Sequence, residues 1–499
     1  METELKLAMT PSSLRRLLQS PLWSVWRTSD AKQRLRTLYF DTPDGALARD
    51  GVALRVRRVG LQWVQTVKGS GGAVGGLHRR DESEAPVGGP RPEFAKVPAD
   101  LLGGAIGLSA TWERLDVVFE TRFDRLARTV HLPSGTTIEV AFDRGSVSAG
   151  HQDAPICEVE LELKAGATTE LLALARAVVR EGGWLDDTSK AARGYRLAWP
   201  ERASPIAPVS APPLAHAVPE SWHDLVVDAV GSGIGHLHGN AAGVRDNDPD
   251  IEYIHQMRVA TRRLRTMLSI ARRRTDHPLT THLLIETGWL GRALGPARDW
   301  DVLVEETLPG YLTTRGTPPG YTRLLADASE ARRAARQVAT AAVGSPRYGE
   351  LIIDLLAWLE LPPPPGRKGA AASAREQLDR RHRSVLRMGQ PEMLVDDEAR
   401  HQLRLACKKL RYAADSLAPA FGPRAGSRYL AALAQMQKSL GGLNDAAVAS
   451  LRLDSLPAGR AERARRAIKA HLRSLAADRL GSLAAQWDTF RGIKPFWNK

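Results

Sequence analysis

Six prolines fall between residues 200 and 219, and the hydrophobic period differs on their two sides. Proline fixes its own φ and donates no N–H, so such a stretch stays out of helix and sheet interiors and reads as a stiff, extended linker. Before it, runs such as TELKLAM, TLYFDT, ALRVRR, WVQTVK, TIEVAFD and ICEVELELK alternate apolar with polar residues. That is the period of a half-buried strand. Turn residues separate the runs, as in Pro43-Asp44-Gly45 and Gly69-Ser70-Gly71-Gly72. One helix is predicted over 170–181, with Leu171, Leu174, Ala175 and Val178 on one face. After the prolines, Ala, Leu and Arg recur at helical spacing to residue 499, broken only by LPPPPGRKGAAAS at 361–373. The expected fold class is therefore α+β multidomain: an antiparallel β domain at 1–199, a linker at 200–218 and an all-α domain at 219–499. Each half has its own period and is expected to bury its own apolar faces.

The charge balance narrows the partners. Lys and Arg number 70 against 56 Asp and Glu, a formal charge of +14. Such an excess favours a polyanion: nucleic acid, an acidic membrane or condensed phosphate. No apolar run approaches the ~20 residues of a membrane span, so no membrane partner is expected. The two cysteines, Cys157 and Cys407, have neither metal-ligand spacing nor a disulfide framework, which suits a reducing compartment. The opening METELK shows no signal-peptide core, and a cytoplasmic location is the expectation.

The helical half repeats itself. His255-x-x-Arg258-x-x-x-Arg262-Arg263-Leu264-Arg265 recurs as His401-x-x-Arg404-x-x-x-Lys408-Lys409-Leu410-Arg411, and Leu294-Gly295-x-x-Arg298-Asp299 recurs as Leu440-Gly441-x-x-Asn444-Asp445, at the same offset of 146 residues. Two segments sharing one offset point to duplicated helical bundles. His255, Arg258, Arg262 and Arg265 fall on one helical stripe, as do His401, Arg404, Lys408 and Arg411. Residues 255–274 hold seven arginines and no acid. A charge run is most often a solvated face, and Arg272–Arg274 fit that description. The stripes fit it poorly, because they lack acidic partners at i+4 and repel unless an anion lies on them. Aromatic residues for base stacking are not interleaved with them, so nucleic acid ranks low as the anion.

In the first half the carboxylates sit at strand spacing. Glu2, Glu4 and Lys6 alternate, as do Glu158, Glu160, Glu162 and Lys164; Glu139 and Asp143 repeat the theme, and Arg55 and Arg57 share a face. A half-buried sheet solvates one face, so any one strand is unremarkable. Whole strands of one sign are less ordinary. Carboxylates in a row want a cation and arginines in a row want an anion. A barrel lined with both suits a metal–polyphosphate complex, with hard Mg²⁺ or Mn²⁺ on carboxylates and phosphate oxygens on Arg and Lys. His78 and His131 read as isolated surface histidines rather than catalytic bases.

These pieces together resemble a family. Glu2-x-Glu4-x-Lys6, Tyr39-Phe40-Asp41-Thr42-Pro43-Asp44, Leu54-Arg55-Val56-Arg57, Thr66-Val67-Lys68, Gly76-Leu77-His78-Arg79-Arg80, Glu139-x-x-x-Asp143, the Glu158–Glu162 strand and Ser189-Lys190-x-x-Arg193-Gly194-Tyr195 look like the CYTH superfamily of triphosphate tunnel metalloenzymes. The resemblance implies an antiparallel eight-stranded tunnel barrel that binds triphosphate with a divalent metal. It implies metal ligands at Glu2, Glu4, Glu160 and Glu162, with Glu158 a weaker candidate. It implies phosphate clamps at Arg55, Arg57, Lys68, Arg80, Arg125 and Arg193, with Arg122 as the alternative to Arg125. Lys6 and Lys190 match catalytic lysines beside the phosphate chain. The repeated half resembles the CHAD domain, which implies two four-helix bundles that bind inorganic polyphosphate. The polyphosphate-binding residues would be His255, Arg258, Arg262, Arg263, Arg265, Arg298, His401, Arg404, Lys408, Lys409 and Arg411, with Asp299 and Asp445 as structural partners. The pairing resembles bacterial inorganic triphosphatases: an enzyme hydrolysing inorganic triphosphate to pyrophosphate and phosphate, in the cytoplasm with polyphosphate granules. Two alternatives stand beside it: a non-catalytic polyphosphate-binding protein, and a CYTH enzyme acting on thiamine triphosphate or a nucleotide, adenylyl cyclases included.

Overall fold

The computed structural model describes residues 2–69, 72–80, 82–202, 207–211, 219, 221–273, 277–363, 369–390, 396–422 and 425–498. The side chains of Glu2 and Arg80, both expected at the site, lie outside this description. The chain forms two compact units. The first holds residues 1–207 together with 346–360; the second holds 208–345 and 361–499.

The first unit is built on one antiparallel sheet. Its strands are β1 (Glu2–Ala8), β2 (Arg27–Asp41), β3 (Ala53–Val59), β4 (Gln62–Lys68), β5 (Gly72–Val74), β6 (Leu77–Arg80), β7 (Glu82–Val87), β8 (Asp116–His131), β9 (Thr137–Ala149), β10 (Gln152–Ala165) and β11 (Trp184–Leu185). They run in the order β5-β6-β1-β10-β9-β8-β2-β3-β4-β7, and β11 pairs with β1 beyond the end of β6. The expected antiparallel strands are present, eight of six residues or more, and three short ones bring the sheet to eleven. The three unforeseen ones, β5, β6 and β11, are two to four residues long, too short for a period of two to register. Among the described residues no ladder joins β5 to β7, so the sheet curls without a closing pair.

Alternation decides which side each residue takes. On β10, Val159 and Leu161 are fully buried, while Glu160 and Glu162 line a cavity on the other face. The helix predicted over 170–181 is Thr168–Arg180; it buries Leu171, Leu174, Ala175 and Val178. Helix Lys190–Ala198 begins at an N-cap, where the Ser189 side chain accepts from Ala192 N at 3.0 Å. It lies so close to β8 that a Cβ on Gly194 would run into the Phe119 ring.

The boundary at Ala207/Pro208 falls inside the proline-rich stretch. One helix departs from the expected division. Pro346–Leu359 belongs to the first unit, against helix Thr168–Arg180. Gly349 faces Val179, Arg176 pairs with Asp354, and Arg180 pairs with Glu350. The expectation that each half buries only its own faces fails here. The run Leu351-Ile-Ile-Asp-Leu-Leu356 is buried at every position, and an all-round apolar helix does not announce what covers it.

The second unit is the duplicated helical domain. Helices Trp222–His238, Glu252–Arg272, Pro278–Asp301 and Tyr321–Val343 form one four-helix set; Ala370–Met388, Asp397–Leu417, Ser427–Asp454 and Glu462–Arg491 form the other. Ser221 and Asp224 close a capping box on the first helix. Trp300, Leu303 and Leu324 of the first set share a core with Ala446, Leu453 and Ile468 of the second. No helix among the described residues is long and apolar enough to cross a membrane.

Candidate active site

A cavity of about 570 Å³ lies on the concave face of the sheet, lined from eight of its strands by residues that include Glu4, Gln33, Arg55, Lys68, Glu82, Arg125, Glu139 and Glu160. The strand register arranges its charges in rows. Glu4 lies opposite Glu162, which lies opposite Glu139. Lys6 lies opposite Glu160 in the next row, and Glu158 opposite Asp143, opposite Arg125, in the one after. Acids therefore concentrate on β1, β10 and β9. Arg55, Arg57 and Lys68 come from β3 and β4, on the far side of β8 and β2.

The deepest row is neutralised by the protein itself. Lys190 Nζ donates to Asp143 at 2.7 Å and Glu160 at 2.8 Å and lies 2.6 Å from Glu158. Arg125 grips Asp143 through two bonds of 2.7 and 2.6 Å and reaches Glu160 at 2.5 Å. Lys6 stands 3.6 Å from Glu160 and donates to the Thr188 carbonyl at 3.3 Å. Burial opposes charge on Glu158 and Glu160, but Lys190 and Lys6, joined by Arg193 at Glu158 and Arg125 at Glu160, together hold both carboxyls below their usual range. Asp143, Glu158 and Glu160 can bring one oxygen each within 4.8 Å of one another, the spacing of a metal site. That centre already holds an ammonium, so a divalent ion there would meet Lys190.

The row of Glu4, Glu162 and Glu139 fits a cation better. Glu162 pairs with Lys164 at 2.6 Å at the partly exposed end. Glu4 is 9% exposed, and burial, then Glu160, raises its pKa. A carboxyl whose charge is opposed by burial gains from an added cation. All donors are hard carboxylate oxygens, which suits Mg²⁺ or Mn²⁺. Glu139, noticed in the sequence for its spacing, thus stands beside Glu4 and Glu162.

The basic wall has the complementary feature. Arg55 pairs with Glu82 at 3.2 Å, and Lys68 with Glu82 at 2.7 Å. Arg57 donates to the Thr37 hydroxyl at 3.2 Å and, among the described residues, has no carboxylate within ion-pair distance. Burial, then Arg55 and Arg125, pulls its pKa down to about 10. A guanidinium so placed is short of an anion. Tyr39, absent from the candidate set, lines the cavity between the two groups. Burial works to raise its pKa, but Arg55 and Arg57 prevail and lower it.

Other placements differ from expectation. Arg122 points outward with a side chain 62% exposed, whereas Arg125 lines the cavity. The two are three apart on one strand and so face opposite ways. Arg193 does not line the cavity; it pairs with Glu158 at 3.1 Å and Asp186 at 3.3 Å. His78 is 3% exposed and opposite Glu4, not a surface residue; an isolated histidine on a four-residue strand gave no period from which to read its burial.

In the helical unit, the stripes of helices Glu252–Arg272 and Asp397–Leu417 converge. Arg262 Nε donates to the Tyr412 hydroxyl at 2.9 Å. Burial, then Arg298, presses the His255 pKa down to about 4; burial, then Arg404 and Arg262, brings Lys408 to about 7. His255, Arg258, Arg262, Arg298, Arg404 and Lys408 thus form one cluster, tempered by Asp299 and Asp445. His401 and Arg404 line a neighbouring pocket of about 350 Å³. The rest of the candidate set is occupied otherwise. Arg265 donates to the Leu284 carbonyl at 2.7 Å, Arg411 to Gln437 at 3.1 Å, Arg263 is drawn towards Asp415, and Lys409 is exposed. Tyr412 was missed because its counterpart one repeat earlier is Thr266, so the duplication hides it.

Residues 1–195 match the CYTH domain family and residues 228–454 the CHAD domain family. An inorganic triphosphatase of Haemophilus influenzae is 33% identical over 199 residues, 39% of this chain and 54% of its own; the chain thus spans about half the length of that relative. The solved CHAD domain of the plant Ricinus communis is 30% identical, covers 58% of this chain and 98% of its own, and superposes with a TM-score of 0.50. A solved protein of Hippeastrum with a dominant triphosphatase activity is 20% identical and covers 38% of this chain and 94% of its own, with a TM-score of 0.29.

Proposed function

We propose that this chain, a CYTH domain followed by a CHAD domain, hydrolyses inorganic triphosphate in the sheet cavity and binds polyphosphate on the helical unit. The observation that carries the reading is the pairing of the Glu4–Glu162–Glu139 row with the anion-short Arg57 across one cavity. Glu4, Glu162 and Glu139 would hold Mg²⁺ or Mn²⁺, which when bound offsets phosphate charge and makes water a better nucleophile; Glu160, expected as a ligand, is turned to Lys190 and Arg125. Glu2 belongs to the same proposal by its place on β1. Arg57, Arg55, Arg125 and Lys68 would fix the phosphate oxygens by charge-assisted bonds. Their fixed positive charges would stabilise the charge that develops on the leaving pyrophosphate. Lys190, locked among three carboxylates, would hold Arg125 and Glu160 in place and present positive charge at the cavity floor.

The lining favours an inorganic substrate over thiamine triphosphate or a nucleotide. Among the described lining residues Tyr39 has the one aromatic ring, and that ring is stacked on Phe119 at 4.4 Å. A base or thiazolium would find no free platform. A purely binding role would need the arginines but not the carboxylate row. The test is phosphate release from triphosphate, ATP, thiamine triphosphate and long polyphosphate with Mg²⁺ or Mn²⁺. Glu4→Gln should lower triphosphate turnover by roughly 10²-fold or more, the scale of losing an electrostatic contact in the transition state. A folded Glu4→Gln variant of near-normal activity, or full activity in excess chelator, defeats the proposal.

A further inference from the structure

The convex face of the sheet carries a charge row that the cavity does not use. Arg36 on β2 lies directly opposite Arg58 on β3 and also directly opposite Arg122 on β8. All three point away from the cavity, since the alternate positions Leu35, Thr37 and Phe123 are buried. Cross-strand neighbours of like charge destabilise a sheet, so three in line need a reason. Glu120 alone serves two of them, at 3.0 Å from Arg36 and 2.5 Å from Arg122. The Arg58 side chain donates to the Gly60 carbonyl, its one hydrogen bond among the described residues. The next row repeats the pattern: Arg34 lies opposite Asp124, which lies opposite Arg144, and Asp124 pairs with Arg34 at 3.2 Å. Among the described residues neither Arg58 nor Arg144 has a carboxylate within ion-pair distance. Arg34, Arg36 and Arg122 have side chains 92%, 52% and 62% exposed. Together with Lys32, these residues line a shallow groove of about 710 Å³.

We infer that this groove is a second polyanion-binding surface, on the tunnel unit itself, and that its occupant is an inorganic polyphosphate chain running across β3, β2, β8 and β9. The identity of the occupant rests on the condensed-phosphate reading of the cavity; the surface stands on its own charge. Arginine forks take phosphate oxygens two at a time, and strand spacing sets successive forks about 5 Å apart along the row. A chain with charge on every unit meets that row without a gap. Nucleic acid fits less well. Among the described lining residues Phe123 has the one ring, and it is 4% exposed; Trp63, outside the lining, is covered by Arg58 at 6.0 Å, so bases have nothing to stack on. A bilayer fits less well too: Val59 and Leu61 at the hairpin tip are the exposed aliphatic side chains beside it, too small an area to anchor a membrane.

The test is arginine modification of the full chain with phenylglyoxal, read residue by residue by mass spectrometry. Long polyphosphate should slow modification of Arg36, Arg58, Arg122 and Arg144 several-fold, and triphosphate at equal phosphate should not. Arg36→Gln with Arg58→Gln, both at exposed positions, should abolish the protection of Arg122 and Arg144 while triphosphate turnover is unchanged. Unaltered modification of these four under conditions that protect Arg262 and Arg404 overturns the inference. So does equal protection by single-stranded DNA or by anionic phospholipid vesicles. Triphosphate hydrolysis is measured on the same preparation: its absence with protection intact refutes the enzymatic reading and leaves the surface standing.

Discussion

Cutting the chain at residue 203 tests how far the tunnel unit depends on helix Pro346–Leu359. Gly349 approaches so closely that a Cβ there would lie 2.7 Å from Val179, and Asp354, 5% exposed, pairs with Arg176. A 1–203 fragment returns Val179 to water at a cost of about 1.5–3 kcal/mol. The ion pairs at the rim add ~0–1 kcal/mol, because Arg176 and Arg180 are simply solvated once their partners are gone. Against a total stability of roughly 5–15 kcal/mol that is a large share. At about 2–4 °C per kcal/mol for a domain of this size, the fragment should melt about 3–16 °C below the same fragment carrying 344–361 on a flexible linker. Thermal melts of the two measure it. Placing Leu at Gly349 in the tethered form keeps the linker and spoils the fit, and should return the melt towards that of the bare fragment. Equal melting of bare and tethered fragments would show that the contact stabilises nothing.

Three further outcomes follow from the charges. Charge reversal at Arg262 and Lys408 together should weaken polyphosphate binding far more than reversal at Arg272 and Arg273, and should flatten its salt dependence; equal effects in a salt titration would mean net charge alone matters. With the Lys408 pKa at about 7, the free protein sheds charge as pH rises through neutrality; polyphosphate affinity should therefore fall between about pH 7 and 9, with proton uptake on binding, and calorimetry in buffers of different ionisation enthalpy reads both. Glu158 and Glu160 are held below the ordinary 4.5, so their share of stability is complete above that value and is lost as pH falls through their folded-state pKa values; the buried Glu4, shifted the other way, loses stability as pH rises instead. Acid unfolding of a Lys190→Met variant should accordingly begin at higher pH than that of the parent, by far-UV circular dichroism.

What the sequence made legible was whatever repeats. Period-two alternation placed Glu160 and Glu162 on one face and Val159 and Leu161 on the other, and the structure has them so. The 146-residue offset pairs the helices around His255 and His401. What stayed hidden depends on contacts between distant segments, for which local pattern has no signal. Lys190, assigned from resemblance to the phosphate chain, instead meets Asp143, Glu158 and Glu160, because strand register carries β9 and β10 beneath the start of its helix. Arg193, assigned as a clamp, spends its charge on Glu158 and Asp186. These two facts bear on each other. A chain of one-sign strands cannot fold into a curled sheet unless part of its charge is cancelled internally, since buried unpaired carboxylates are costly. Glu158 and Asp143 are fully buried and are cancelled by Lys190, Arg125 and Arg193. Glu4 and Glu162, together two rows nearer the mouth, are left for a cation from outside, as Arg57 is left for an anion. The division between residues that stabilise the fold and residues that await a ligand therefore runs across the strands, row by row, where a reading along any single strand cannot see it.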